Sequence, residues 1–239
     1  IVIGIIFFLT GIIFSGNIAT LLGANKQVYH MTSIYLKVLL MFGPAFVLNN
    51  VMNAFVRNDG NPRLSMIAML VGSFGNIILD YLLVIKFSMG MFGAVLATGF
   101  SPIMGLMVLS GHIVSENSNI KFKVAKIRAS FIKSIIMLGI PSFVAEMSSG
   151  IVIFVFNIII LGLQGNVGVA AYGVIANLAL VVISIYTGVA QGSQPLFSAA
   201  YGKNDKKMQK QLFKYAITAV TLISIVIYAV ILLFANPIT

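Results

Sequence analysis

Five carboxylates occur among 239 residues, and two of them, Asp80 and Glu146, stand in runs that are otherwise apolar. An aspartate at the centre of a membrane helix costs about 2.5–3.5 kcal/mol to insert, so acids in such places commonly face a polar cavity and serve a proton or an ion. Around "NIILDYLL" (76–83), Ser73, Asn76 and Asp80 recur at i, i+3 and i+7 and therefore share one helical face. Asn76 can offer its amide oxygen one turn below the carboxylate. At about 1.5 Å rise per residue, Asp80 lies roughly 8 Å from the outer end of its helix, and Thr98 of the next, antiparallel helix about 10 Å from the same end. Carboxylate, amide oxygen and hydroxyl at one depth form an oxygen-rich nest that suits a hard cation such as Na⁺, and the same set can hold a proton on Asp80. The structural alternative is that Asp80 satisfies a backbone defect or a neighbouring helix while Asn76 and Thr98 bond between helices.

Other polar groups are sparse. Glu146 follows Pro141 by five residues, with Ser142, Ser148 and Ser149 beside it, and is a candidate second acid. Asn49, Asn50 and Asn53 follow Pro44; Asn49 and Asn53 share a face and either line a substrate cavity or bond between helices. Twelve Met and eighteen Phe could supply an adaptable apolar pocket. No cofactor is expected, and no metal beyond sodium at Asp80. The absence of Cys excludes thiolate sites, and His30 and His112 fall at segment ends, which argues against imidazole-bound zinc. No HExxH, no GxSxG and no mid-membrane His appears, which argues against an intramembrane enzyme.

These residues must be positioned by membrane helices. The chain is 59% hydrophobic and 8% charged, with a mean hydropathy of +1.06, whereas a soluble domain carries about 25% charged residues. Apolar runs long enough to cross a hydrocarbon core, about 20 helical residues, cover Val2–Leu22, Ser33–Val56, Leu64–Ile85, Met91–Val114, Phe131–Leu163, Val169–Ala200 and Leu212–Ala235. Without water to satisfy backbone groups such runs must be helices, so the fold class is all-α and polytopic. No Lys or Arg is expected deep enough to pair with Asp80 or Glu146. The chain starts inside an apolar run without an initiator Met, which reads as an internal piece of a longer protein.

The net charge of +10 raises nucleic acid as a partner, and its placement argues against it. Twelve of the fifteen basic residues fall in inter-helix regions on one side: Arg57 and Arg63; Lys121, Lys123, Lys126, Arg128 and Lys133; Lys203, Lys206, Lys207, Lys210 and Lys214. Only Lys26, Lys37 and Lys86 fall on the other. By the positive-inside rule the basic loops 57–63, 115–133 and 201–214 are cytoplasmic and the first helix runs outward. "RNDGNPR" (57–63) is a tight inter-helix turn, and residues 115–128 form the one plausible linker, its cations along anionic headgroups or simply solvated. The expected divisions are 1–114, a linker at 115–130, and 131–239.

Several stretches together resemble a known family. "FVRNDGNPRLSMIAMLVGSFGNIILDYLLV" (55–84), followed by "GMFGAVLATG" (90–99), is similar to the fifth and sixth helices of multidrug and toxic compound extrusion (MATE) transporters and the turn before them. "LGIPSFVAEMSSG" (138–150), "AAYGVIANL" (170–178) and "GVAQGSQPLFSAAYGKND" (188–205) resemble the seventh and eighth. The resemblance implies twelve helices in two lobes, with this chain supplying helices three to nine: 1–114 in the amino-terminal lobe and 131–239 in the carboxy-terminal lobe. "LLGANKQ" (21–27) and "LLFANPI" (232–238) are similar segment ends, in keeping with an internal repeat.

It also implies antiport of small organic cations against H⁺ or Na⁺ by a monomer in the bacterial cell (inner) membrane. A lipid-linked oligosaccharide flippase of related fold is the alternative, and would need Lys or Arg in its cavity. By the resemblance Asn76, Asp80 and Thr98 fall on the amino-terminal-lobe cation site, whose acidic partner lies on helix one, and Asn49 and Asn53 on the same lobe's cavity wall. The helix-seven glutamate of other branches stands one turn further from the proline than Glu146, where this sequence has Ser149.

Overall fold

The computed structural model describes residues 2–22, 28–115, 118–120 and 129–238, all but a few of them helical. The chain divides into two units, Ile1–Phe122 and Lys123–Thr239.

Among the described residues the first unit holds five α-helices. α1 (Val2–Leu21) is apolar on every side, and its buried positions are the small residues Gly4, Gly11, Ser15 and Ala19, which recur along one stripe. In lipid there is no hydrophobic drive between helices, so association rests on close approach at small residues. Gly4 accordingly lies against Pro44, and Gly11 against Leu40, each too near to admit a Cβ (2.7 and 2.5 Å). The expected span Ser33–Val56 is a bent pair instead, α2 (Tyr29–Met41) and α3 (Gly43–Asn58), meeting at 44°. Pro44 removes an N–H from the ladder and crowds the preceding turn, and the chain re-forms its bonds around Phe42, whose carbonyl accepts from Ala45 and Phe46 (2.9 and 3.1 Å). α2 also starts four residues earlier than expected, so Lys37 lies about two turns inside a helix, with its side chain exposed and in no ion pair among the described residues.

α4 (Pro62–Asp80) begins at Asn61, whose Oδ1 accepts from the Leu64 N–H at 3.1 Å, with Pro62 at the position that needs no donor. The tight turn before it passes through Gly60, at φ 88°, a left-handed conformation that glycine adopts without strain. Beyond Asp80 the helix widens into a π-helical turn, Tyr81–Lys86, closed by Phe87 N–H on Leu82 C=O at 2.8 Å. α5 (Gly90–Val114) runs back along α4. Of the buried residues of α4, Ala68 lies against Gly105 of α5, Gly72 against Ser101 and Gly75 against Met104, while Ser65 bonds to Asn53 of α3; Ser101 Oγ donates to the Gly72 carbonyl at 2.9 Å.

In the second unit α6 (Ala129–Gly202) is two spans, Ala129–Gly165 and Val167–Gly202, broken at Gly165 (φ 65°, ψ −154°), where an L side chain would be strained. α7 (Lys206–Ile238) follows. Asp205 caps it, its Oδ1 accepting from Met208 N–H at 2.9 Å, and a Tyr186–Ser224 hydroxyl pair (2.9 Å) ties it to the second arm of α6. Counting α2 and α3 as one, the described residues hold up to seven candidate membrane spans. The linker expected at 115–130 lies mostly outside the described residues.

Candidate functional site

The axial register of α4 on α5 follows from two contacts. Ser101 bonds to Gly72, and a Cβ placed on Gly93 would lie 3.0 Å from the Leu83 carbonyl. Interpolating between them puts Asn76 level with Thr98 and Asp80 about one turn away. All three side chains are half-buried, while Ser73, expected on the same face, is exposed.

Each of the three residues has a particular state. Asp80 is the last α-helical residue before the π turn, and π turns inside α-helices recur at functional sites. The single ion pair among the described residues is Asp59–His112, so Asp80 has no basic partner there. The Asn76 Nδ2 is buried without a hydrogen-bond partner. A half-turn of the amide exchanges its two ends, so one position can present N–H to a carboxylate or oxygen to a cation. Thr98 Oγ1 donates to the Ala94 carbonyl at 3.0 Å, which leaves its lone pairs free to accept. Pro102, four residues on, lacks the N–H that would have satisfied the Thr98 carbonyl. The Thr98 carbonyl is thus released from the helix ladder and its Oγ1 keeps lone pairs to offer, about one turn from the acid, a donor set suited to a hard cation.

Asn53 takes part in hydrogen bonds within and between helices. It is 7% exposed, and its Nδ2 donates to the Asn49 carbonyl (3.1 Å) and Oδ1 (3.3 Å). Its Oδ1 accepts from Ser65 Oγ at 2.9 Å, and Ser65 is 2% exposed. The amide thus bonds α3 to α4 in a packed core, the second of the two readings open from the sequence. Asn49 is half-buried against Gly105 of α5, where its Oδ1 lies 2.7 Å from the place of a Cβ, and Asn50 is exposed.

In the second unit Glu146 is exposed. Ser149 and Ile153 share its helical face at i+3 and i+7 and line a cavity of about 280 Å³ between the two arms of α6, closed on the other side by Tyr172 and Ala176. Phe156 stacks on Tyr172, ring centroids 5.6 Å apart.

One constellation escaped the sequence reading. His112, 4% exposed, meets Asp59 at 2.9 Å, and the same carboxylate accepts from the Asn119 backbone N–H at 3.0 Å. Asn61 Nδ2 approaches the other imidazole nitrogen at 3.4 Å. The hydrogen bond from His112, opposed by burial and aided by Asn119, holds the Asp59 carboxyl below its ordinary range. Asp59 and His112 stand 53 residues apart, so only the helix register brings them together.

With this geometry the chain can be set beside known proteins. The MatE family model matches residues 1–82 and 123–239. "Multidrug export protein MepA" of Staphylococcus aureus is 31% identical over 95% of this chain and 50% of its own length. The MepA of Staphylococcus saprophyticus is 30% identical over 93% and 49%. An outward-facing multidrug resistance MATE family transporter of the MOP superfamily superposes with a TM-score of 0.85 at 27% identity, over 99% of this chain and 54% of that one. A MATE solved in complex with MaL6 superposes at 0.88 and 26% identity, over 99% and 53%. The chain spans about half the length of the curated relatives it matches. Matched along both units by the family model and over nearly its whole length by MATE structures, the chain belongs to the MatE family of membrane transporters.

Proposed function

We propose that the chain is part of a secondary antiporter that expels small organic cations from the cell in exchange for H⁺ or Na⁺, with Asp80, Asn76 and Thr98 holding the coupling ion. The protein is a multi-pass component of the bacterial cell membrane, and its basic loops lie in the cytoplasm by the positive-inside rule. One observation carries the reading: Asp80 is half-buried without a basic partner among the described residues, one turn from an amide whose Nδ2 is buried and unbonded. A carboxylate so placed is stabilised when a cation or proton visits it. In the empty state the Asn76 amide turns its N–H toward Asp80; in the loaded state it turns its oxygen toward the ion, joined by the Thr98 oxygens. Ion and drug are then bound in alternation as the protein switches between its two openings.

In the carboxy-terminal unit the Ser149–Tyr172 cavity, with Glu146 beside it, is the candidate wall for the drug. The flippase alternative is not favoured, because the MepA relatives are named as drug exporters. The transporter works as a monomer amid membrane lipid. Dye efflux from vesicles carrying the full-length protein, with sodium and proton gradients imposed separately, tests this. Asp80→Asn should abolish the gradient-driven component while insertion is retained, and the gradient that drives the wild type names the ion. Undiminished gradient-driven export by Asp80→Asn would refute the assignment.

A further inference from the structure

His112 is a buried titratable group that the ion site does not use. Its protonation state is written in the hydrogen bonds of Asn61. Asn61 Oδ1 is engaged by the Leu64 N–H at 3.1 Å as the cap of α4, so its other amide end, which can only donate, is the one aimed at His112 Nδ1 at 3.4 Å. That approach suits a bare Nδ1, with the proton on Nε2 donating to Asp59 at 2.9 Å.

A proton arriving on Nδ1 would face the Asn61 N–H groups. Asn61 relieves the conflict by turning its amide over, so that Oδ1 accepts from the imidazolium. The same oxygen then no longer serves the Leu64 N–H, and α4 loses its cap. The imidazolium remains paired with Asp59 through Nε2. The other charges on the packed elements are Arg57 at the end of α3 and Arg63 in the first turn of α4, both cationic. Glu116 and Lys121 lie outside the described residues.

We propose that Asn61 and His112 form a proton-operated switch on the basic-loop side of the first unit, in which one amide oxygen is passed between the N-terminus of α4 and the imidazole ring. α4 is the helix that ends at Asp80, and the pH on that side sets the firmness of its first turn, at the end opposite the acid. The site is closed on the outside by Asp59 and the Asn119 N–H, which tie the chain leaving α5 to the same ring.

The test reads helix protection and so does not depend on what the protein transports. Hydrogen exchange is followed in the first turn of α4 in the full-length protein, corrected for intrinsic rates, from about pH 8 to about pH 5.5, the range across which histidine side chains titrate. Loss of an N-cap corresponds to about a fivefold fall in protection. The wild type should show this fall, and His112→Gln, which keeps a donor to Asp59 but cannot take up a proton, should not. Asn61→Asp supplies two carboxylate oxygens, so it can cap α4 and accept from the imidazolium at once; its protection should also be flat. ¹⁵N spectra of the labelled imidazole should show Nε2–H at the upper pH. Should His112→Gln fail to insert, Asn61→Asp carries the comparison. Unchanged wild-type protection across the titration, a parallel fall in either variant, or a proton found on Nδ1 at the upper pH would each overturn the proposal.

Discussion

Replacing Asn53 by Ala separates the two roles that an intramembrane amide can play. The side chain makes one direct bond to the facing helix, accepting from Ser65 Oγ at 2.9 Å, and two within α3, to the carbonyl and Oδ1 of Asn49. In membrane proteins an interhelical side-chain hydrogen bond is worth about 0.6 kcal/mol on average and about 1.7 at most. At 7% exposure the missing amide also leaves a small void, adding about 1 kcal/mol where neighbours cannot close in. Ser65 is not left orphaned, because its hydroxyl also lies 3.3 Å from the backbone carbonyl of residue 53. The expected cost of Asn53→Ala is therefore about 1.6–2.7 kcal/mol. Ser65→Ala should cost about 1 kcal/mol, because it removes the same bond without the void. In SDS-driven unfolding of the full-length protein, the double-mutant cycle should show a coupling of about 0.6–1.7 kcal/mol. Zero coupling and wild-type stability, together with an altered drug profile, would return Asn53 to the cavity wall and refute the packing argument.

Two further outcomes follow from the same coordinates. Gly105→Ala should destabilise by about 1–3 kcal/mol, because its Cβ would sit 2.7 Å from Asn49 Oδ1 in a packed seam, while Gly111→Ala, with nothing within 4 Å, should be neutral or stabilising in the same unfolding assay. The depressed carboxyl of Asp59 contributes stability that is fully present above the ordinary value of 3.8 and is lost as pH falls through its lower folded value. Asp59→Asn should flatten that acid limb in melting curves recorded across the window.

Helix existence was legible in the sequence because a bilayer demands about 20 apolar residues per crossing, and that demand shows in composition alone. Six of the seven expected runs each match a single span, with ends no more than six residues apart. The seventh is the Pro44 pair: proline announces a disturbance, but whether a helix kinks or breaks depends on what packs there, here Phe42 over Gly99 and against Phe100. The π turn after Asp80 left no trace, since a uniformly apolar run offers no periodicity from which to distinguish one helical pitch from another. At the candidate site the spacing of Asn76 and Asp80 was readable as one face, whereas the exposure of Ser73 was not, because it depends on where α5 lies. Asn53 shows the same limit. A buried amide is ambiguous until its partner, Ser65, is known, twelve residues away across a turn. The Asp59–His112 pair needed the complete packing of three segments before it could exist at all.

The widened turn at Tyr81–Lys86 has a consequence for how this chain tolerates changes in length. A π turn stores one residue more than an α-helix would use to cover the same rise. Deleting a single residue there tightens the coil to ordinary pitch and leaves everything upstream facing as before. The same deletion between Pro62 and Asn76 would rotate Asn76 and Asp80 together by about 100° relative to the start of the helix, swinging the oxygen donors away from Thr98. The slack in this helix therefore lies just outside the acid, at the place where losing it leaves the donor face undisturbed.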